Sequence, residues 1–358
     1  MPAGEAVAAA EPQAVPSMRA HVLVQPGEIA LQVLPRPVPA RDEVVVRVRA
    51  ALTCGTDVKA FVRGHPKFPM PTPFGHEFAG DIAAVGSAVR GWHDGDPVMA
   101  VPTAPCGHCY FCRRRQENLC DSVMDTMVLG AYAEYIKVPA RHLRVNVYAK
   151  PESLPYEEAA LLEPLSCVLH GLESVALRPD DRVVLLGAGA ISLLHLLALR
   201  AMGAEHVAVV GRRPQRTEHA RKLGADAVHS GSLADAREQV LAATDGRGAD
   251  LVVECTGQVD VWEAAPGFAR RGGHVVLFGG CPPGTHFRID TQRFHYDQLQ
   301  VSSPFHFTPR AVRRAYDLLT GGQFDGAALI TGSFALADLP AALHEHQHGH
   351  GIKFAVLP

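Results

Sequence analysis

Cys54, His76, Glu77 and Glu163 are the residues whose types could do chemistry together. They lie in three segments far apart in the chain: Cys54-Gly55-Thr56-Asp57, Gly75-His76-Glu77 and Glu163-Pro164-Leu165. Alone, a cysteine is most often a small buried hydrophobe, and a histidine a satisfied packing residue. Together the segments supply a thiolate, an imidazole and two carboxylates. Three such ligands and one open position make a catalytic zinc site. The open position polarises a substrate oxygen and lowers the pKa of a water or alcohol held there. An alcohol that has lost its proton can then expel a hydride. Cys167, four residues beyond Glu163, reads as packing, with a minor role as an alternative ligand.

A second cluster is compact: Cys106-x2-Cys109-x2-Cys112-x7-Cys120. One loop offering four thiolates suits a closed, tetrahedral, structural zinc. Arg113, Arg114 and Arg115 lie inside the loop and could offset the thiolate charge. The competing readings are four unpaired thiols, two disulfides, or an iron–sulfur cluster, whose cysteines have other intervals.

Gly187-Ala188-Gly189-Ala190-Ile191-Ser192 follows an apolar strand and opens an apolar helix, the setting of a dinucleotide fingerprint. The first glycine makes the tight turn. The second lets the backbone approach a pyrophosphate on the helix N-terminus. Ser192 stands where the pattern has a third glycine. Cofactor contacts are expected from Gly187, Gly189, Ala190 and Ile191. The next strand ends in Gly211-Arg212-Arg213, without the carboxylate that bonds a ribose 2′-hydroxyl. Guanidiniums suit a 2′-phosphate. The reading is NADP, with NAD as the alternative if both arginines face solvent.

These residues need elements to hold them. The chain has 358 residues, enough for two or three domains. From about Met18 to Val145, short apolar strands such as EVVVRVRA, FAGDIAAVG and DPVMAVPTAP are punctuated by Gly and Pro, which predicts a β-rich barrel or sandwich. A helix is expected over about Pro155–Leu177. After Pro179, strands alternate with helices: RVVLLGAGA, HVAVVG, AVHS, DLVVECTG, HVVLFGG and LQVSS read as strands of a doubly wound parallel sheet, a complete dinucleotide fold. A closing helix, PRAVRRAYDLL, a turn at Gly321–Gly322 and a strand, IKFAVL, are expected to return to the first domain.

Composition sets bounds. The net charge is −3, which excludes a strong general pull on nucleic acid or anionic membrane. No long apolar run predicts a transmembrane helix. Residues 1–17, Ala/Pro-rich and without a basic start, read as a disordered tail, and no targeting segment is evident. The expected location is cytoplasmic, where clustered cysteines serve metal sooner than disulfides.

Taken together these segments resemble the zinc-dependent medium-chain alcohol/polyol dehydrogenases, in the branch that includes sorbitol and threonine dehydrogenases. Glu254-Cys255-Thr256-Gly257 and the closing Ile352-Lys353 add to the resemblance, which runs from about Met18 to Pro358. It implies an α/β architecture: a GroES-like catalytic domain, residues 18–165 and 306–358, and a Rossmann NAD(P)-binding domain, residues 166–305. It implies Cys54, His76 and Glu163 as ligands of a catalytic zinc, and Glu77 as an alternating fourth ligand or a base beside it. Cys106, Cys109, Cys112 and Cys120 would hold a structural zinc, making two zinc ions per chain. Thr56 would bond the reacting oxygen and start a proton relay. Glu163 points to the polyol branch, since liver-type enzymes place cysteine there.

Two departures stand out. Where relatives carry a relay histidine, this chain has Lys59, which could relay the proton, bind a cofactor phosphate, or be a solvated surface lysine. The aromatic residue that often follows is Ala60. The expected reaction is hydride transfer between NAD(P) and a secondary alcohol or ketone of polyol, cyclitol or sugar-like type. The alternatives are a threonine-type 2-amino-3-hydroxy acid, a simple secondary alcohol, or a non-catalytic zinc-stabilised binding protein. The partner is a small-molecule alcohol or ketone, with neither nucleic acid nor membrane, in a homodimer or homotetramer. His344-Glu345-His346-Gln347-His348-Gly349-His350 reads as an exposed helix end interrupted by Gly349. Phe294-His295-Tyr296 and Pro304-Phe305-His306 are expected near the domain junction.

Overall fold

The computed structural model describes residues 16–358. The expected tail therefore lies almost wholly outside the described residues, and Ser17 already opens a strand. β1 (Ser17–Gln25) and β2 (Glu28–Pro35) form a hairpin turned at Gly27, whose φ is +83°. β3 (Val44–Leu52) is buried at all but its two arginines and leads directly into α1 (Gly55–Arg63). Then come β4 (Thr72–Pro73), β5 (Phe78–Val85), β6 (Pro97–Ala100), α2 (Tyr110–Arg113), β7 (Tyr135–Val138), α3 (Ala140–Leu143) and β8 (Val147–Ala149). The strand expected across 96–105 stops at Ala100 because Pro102 and Pro105 have no N–H to give a ladder.

The helix expected over 155–177 is two: α4 (Tyr156–Ala159) and α5 (Leu162–Leu172). Pro164 is the reason. In the interior of one continuous helix it would remove a hydrogen bond and clash with the carbonyl of Ala160. In the first turn of a new helix it costs neither.

The dinucleotide-type unit follows: β9 (Arg182–Leu186), α6 (Ala190–Ala201), β10 (His206–Gly211), α7 (Pro214–Lys222), β11 (Ala227–Ser230), α8 (Leu233–Ala242), β12 (Ala249–Glu254), α9 (Val259–Ala264), β13 (Ala269–Leu277), α10 (Thr291–Tyr296) and β14 (Gln300–Ser302). All neighbours pair parallel in the order β11-β10-β9-β12-β13-β14, the doubly wound arrangement the sequence predicts. The strands read Val/Leu-rich because both faces are covered.

α11 (Pro309–Thr320) packs against α5, and β15 (Ile330–Ala335), α12 (Leu339–His348) and β16 (Lys353–Leu357) complete the chain. β16 pairs antiparallel with β3 and parallel with β15, so the last residues close the β-rich sheet as expected. That sheet runs β15-β16-β3-β5-β6-β8, with β7 also on β3. The pairing puts Lys353 beside the start of α1. Among the described residues no helix is long and apolar enough to cross a membrane.

Candidate active site and metal centres

Cys54 caps the N-terminus of α1 in extended conformation, and its Sγ accepts the Thr56 N–H at 3.4 Å. His76 and Glu77 follow Gly75, whose φ is +86°. A Cβ on Gly75 would stand 2.6 Å from the Tyr132 ring, so only glycine lets this turn pass. The Tyr132 hydroxyl in turn donates to Leu52 O at 3.0 Å and to Asp57 Oδ2 at 2.6 Å. Asp57 Oδ1 lies 3.0 Å from His76 Nδ1. This chain orients the imidazole: Asp57 holds Nδ1, and the ring's other nitrogen is left to bond Cys54.

Ligand atoms of Cys54, His76 and Glu77 lie within 4.8 Å of one another. Glu163 is buried on the first turn of α5 and close enough to raise the pKa of Glu77, but it stands outside that tight group. Its Oε1 accepts the Cys167 thiol at 3.7 Å, so Cys167 contacts the site through Glu163. Glu77 is fully buried and both its oxygens take the Lys353 ammonium, at 2.7 and 3.0 Å. Lys353 also donates to Thr53 O at 2.9 Å.

The donor set fits a zinc ion. Burial pushes up the pKa of Cys54, of Glu163 and of Glu77, the last to about 7, and Glu77 and Glu163 repel each other. Burial opposes charge on His76 too, but Asp57 and Cys54 outweigh it and raise its pKa well above the usual value. Three acidic groups crowded in a buried pocket, with one imidazole nitrogen aimed among them, are what a dication relieves.

The four-cysteine loop also fits. The four Sγ atoms lie within 4.8 Å of one another, and all eight cysteines of the chain are free thiols, which removes the disulfide alternative. Cys106 Sγ accepts N–H groups of His108 and Cys109, and Cys120 Sγ accepts that of Cys106 at 3.3 Å. Burial resists, yet the Cys106 and Ser122 N–H groups outweigh it and bring Cys120 down to about 6. The cation expected from Arg113–Arg115 comes from elsewhere. Arg113 bonds His108 O and Arg114 stacks on Tyr110, whereas Arg141 of α3 reaches Cys120 Sγ at 3.5 Å. Sequence distance hid Arg141.

At the glycine loop, Gly187 has φ +116° and Gly189 caps α6. Ser192 proves a compensation: buried, it donates to Gly187 O at 2.7 Å and ties the helix to the turn. Ala190 and Ile191 form the half-buried start of α6 and pack partly against the core. The missing carboxylate at Gly211 has a steric cause. A Cβ there would lie 2.8 Å from the Ala188 Cβ and 2.9 Å from Thr217.

Arg212 is engaged by Gln258 Oε1 at 2.7 Å, and Arg213 donates to His348 O at 2.6 Å. The sequence reading missed Arg216, three residues on in α7. Its Nε is buried without a partner among the described residues, and its Nη1 lies 3.6 Å from where a Cβ on Gly189 would be. Burial and then Arg213 lower its pKa. Arg216 against a phosphate-type turn, with Arg213 next to it, makes a place for an anion.

Thr56 is partly exposed on the first turn of α1, and Lys59, one turn on, is exposed without a hydrogen-bond partner among the described residues. Two histidines are more buried than the sequence suggests. His346 turns inward to share a 2.9 Å hydrogen bond with the Thr53 hydroxyl, and burial lowers its pKa to about 4. His306, in left-handed backbone at φ +63°, bonds Thr103 at 2.6 Å, and its pKa is lowered to about 3 by burial and then by His170 and His76. Phe294 and Tyr296 are exposed on α10 instead of lining a junction.

Residues 40–149 match the alcohol dehydrogenase GroES-like domain family, and residues 190–321 match the zinc-binding dehydrogenase family. The chain is 31% identical to sorbitol dehydrogenase of Bacillus subtilis over 333 residues, covering 91% of this chain and 93% of that one. It is 32% identical to D-xylulose reductase A of Aspergillus oryzae over 331 residues, with 89% and 91% covered. A solved zinc-binding dehydrogenase from Sinorhizobium meliloti, bound to NADP, superposes with a TM-score of 0.86 at 30% identity, covering 96% of this chain and 100% of that one.

Proposed function

Since the chain belongs to the zinc-dependent medium-chain alcohol/polyol dehydrogenases and is an NAD(P)-dependent oxidoreductase acting on CH–OH, we propose that it oxidises a secondary alcohol of a polyol, or reduces the matching ketone, with NADP. The observation that carries this reading is the pocket of Cys54, His76 and Glu77 beside Glu163, in a chain that also carries a glycine turn with Arg216 against it. The polyol-acting relatives and the NADP-bound neighbour support the substrate class and the coenzyme.

Cys54, His76 and Glu163 would hold the catalytic zinc, and the four-cysteine loop the structural one. When bound, zinc supplies Lewis-acid polarisation of the substrate oxygen and the nicotinamide supplies the hydride acceptor or donor. The chain's residues do the rest. Asp57 fixes the His76 tautomer. Thr56 passes the alcohol proton through its hydroxyl, and Lys59 faces solvent one helical turn beyond, where it can hand the proton on. Lys353 holds the Glu77 carboxylate in place at the floor of the pocket, which makes Glu77 a positioning residue first and an alternating ligand only when that pair opens. Gly187, Gly189, Ala190 and Ile191 seat the pyrophosphate, and Arg213 and Arg216 meet the 2′-phosphate, with Arg212 and Gly211 shaping that edge.

We also read residues 18–165 with 306–358 as the catalytic domain and 166–305 as the coenzyme domain, with α5 running across the boundary. The open edge of β14 and the exposed aromatic residues of α10 support a homodimer or homotetramer formed through the coenzyme domain. Eight unpaired cysteines support a cytoplasmic location.

Steady-state rates on sorbitol, xylitol, altritol, cyclitols, threonine and simple secondary alcohols, with NADP and NAD side by side, test the proposal. Selective polyol turnover with NADP is expected. Turnover of threonine, or with NAD alone, would overturn the substrate or coenzyme reading respectively.

A further inference from the structure

The last turn of α12 gathers three imidazoles that the reaction does not use. His344 and His348 stand four residues apart on one face of the helix, with ring centroids 4.1 Å apart. Gly349, which the sequence reading took as a break, is the device that adds a third. It adopts left-handed backbone at φ +77° and reverses the chain, so that the His350 N–H bonds Glu345 O at 3.1 Å. The His350 ring then lies 5.9 Å from that of His348.

Each ring is already oriented through one nitrogen. His350 Nδ1 lies 2.9 Å from Glu345 Oε2, and His344 Nδ1 lies 3.4 Å from Glu345 Oε1. His348 Nδ1 is bonded to His344 O at 2.9 Å. The three Nε2 atoms have no hydrogen-bond partner among the described residues. Holding Nδ1 with a carboxylate or a carbonyl and leaving Nε2 open is how metal-ligating histidines are prepared. The turn is also pinned from behind. Arg213 bonds His348 O at 2.6 Å, and a Cβ on Gly349 would lie 2.1 Å from Arg213 Nη1.

We propose that His344, His348 and His350 form a third metal site, with Glu345 orienting two of the rings, for a divalent transition-metal ion of borderline softness. Imidazole ligands select zinc, nickel or copper over magnesium or calcium. A histidine pair at this helical spacing is a recurring zinc pair. The ring nitrogens of the three histidines do not all stand within 4.8 Å of one another, and because the side chains of His344 and His350 are 62% and 59% exposed, rotating them onto one ion costs little desolvation. The site is separate from the thiolate and carboxylate pockets and does not depend on the reading of the reaction.

The test is calorimetric titration of Zn2+ into enzyme that already holds two zincs per chain, for the parent, His344→Ala, His348→Ala and a His344→Ala/His350→Ala double variant. The parent should bind one further equivalent. Each single variant should bind it at least tenfold more weakly, and the double variant not at all, with turnover in the absence of added Zn2+ unchanged. His93→Ala, at an exposed histidine elsewhere, should behave as the parent. No further equivalent at millimolar Zn2+, or an equal one in the double variant, would overturn the proposal.

Discussion

The Lys353 ammonium lies 2.7 Å from the Glu77 carboxylate, and the two side chains are 2% and 0% exposed. This pair joins the chain's closing strand to the pocket of Cys54, His76 and Glu77. Removing the lysine would leave a buried carboxylate uncompensated, at a cost of about 3–5 kcal/mol. Lys353→Met should therefore unfold at markedly lower denaturant. The double variant Glu77→Gln/Lys353→Met should recover part of that loss. Chemical denaturation of the parent, both single variants and the double variant checks it, and simple additivity would refute the coupling.

The coenzyme reading makes a paired prediction. Arg213→Ala and Arg216→Ala should each raise the KM for NADP by about tenfold or more, as expected for loss of a charge-assisted bond worth about 1.5–3 kcal/mol, while the KM for NAD changes little. Equal effects on both coenzymes would assign these arginines to the pyrophosphate alone. Gly211→Asp should not create an NAD enzyme. Its Cβ would stand 2.8 Å from that of Ala188, so the expected outcome is about 1–3 kcal/mol of lost stability.

The two metal centres should separate on mutation. Cys112→Ser should lose one zinc per chain and melt at lower temperature, since a closed four-thiolate site contributes folding energy directly. Cys54→Ser should lose or weaken the other zinc and abolish turnover with little change in melting. Metal analysis beside thermal unfolding distinguishes them.

Much of this was legible in the sequence, for a definite reason. The four cysteines and the glycine turn are local, so spacing alone reports their geometry, and the parallel sheet announces itself by strand–helix alternation. Cys54, His76 and Glu163 are not local: their residue types suggest a shared metal, and the resemblance to a known family implies which of them are its ligands. What stayed hidden came from long-range packing. Arg141 reaches Cys120 from another element, Arg216 turns back over the loop at Gly189, and His346 faces inward because α12 packs its last turn beside Thr53. The vacant carboxylate position at Gly211 looked like a coenzyme signal only, yet Ala188 also leaves no room for a side chain there.

The ion pair at the end of α5 gives a pH dependence. Burial would raise the pKa of Glu173, but His170 and Arg310 outweigh it and hold it down at about 2. A depressed carboxyl contributes stability above its unfolded value, about 4.3, and that stability fades as pH falls toward the folded value. Arg310 is 70% exposed, so screening limits the contribution to about 1 kcal/mol. Glu173→Gln should be less stable than the parent at neutral pH, and the gap should close in acid. A gap independent of pH would contradict the assignment.

Glu163, with Cys54 and His76, is proposed to hold the zinc on which turnover depends. Zinc content and NADP-linked polyol turnover of Glu163→Ala, measured on one preparation, test it most directly. Zinc content should fall from two to one per chain and turnover by about a thousandfold, with NADPH binding intact. Two retained zincs and near-parental turnover would contradict it.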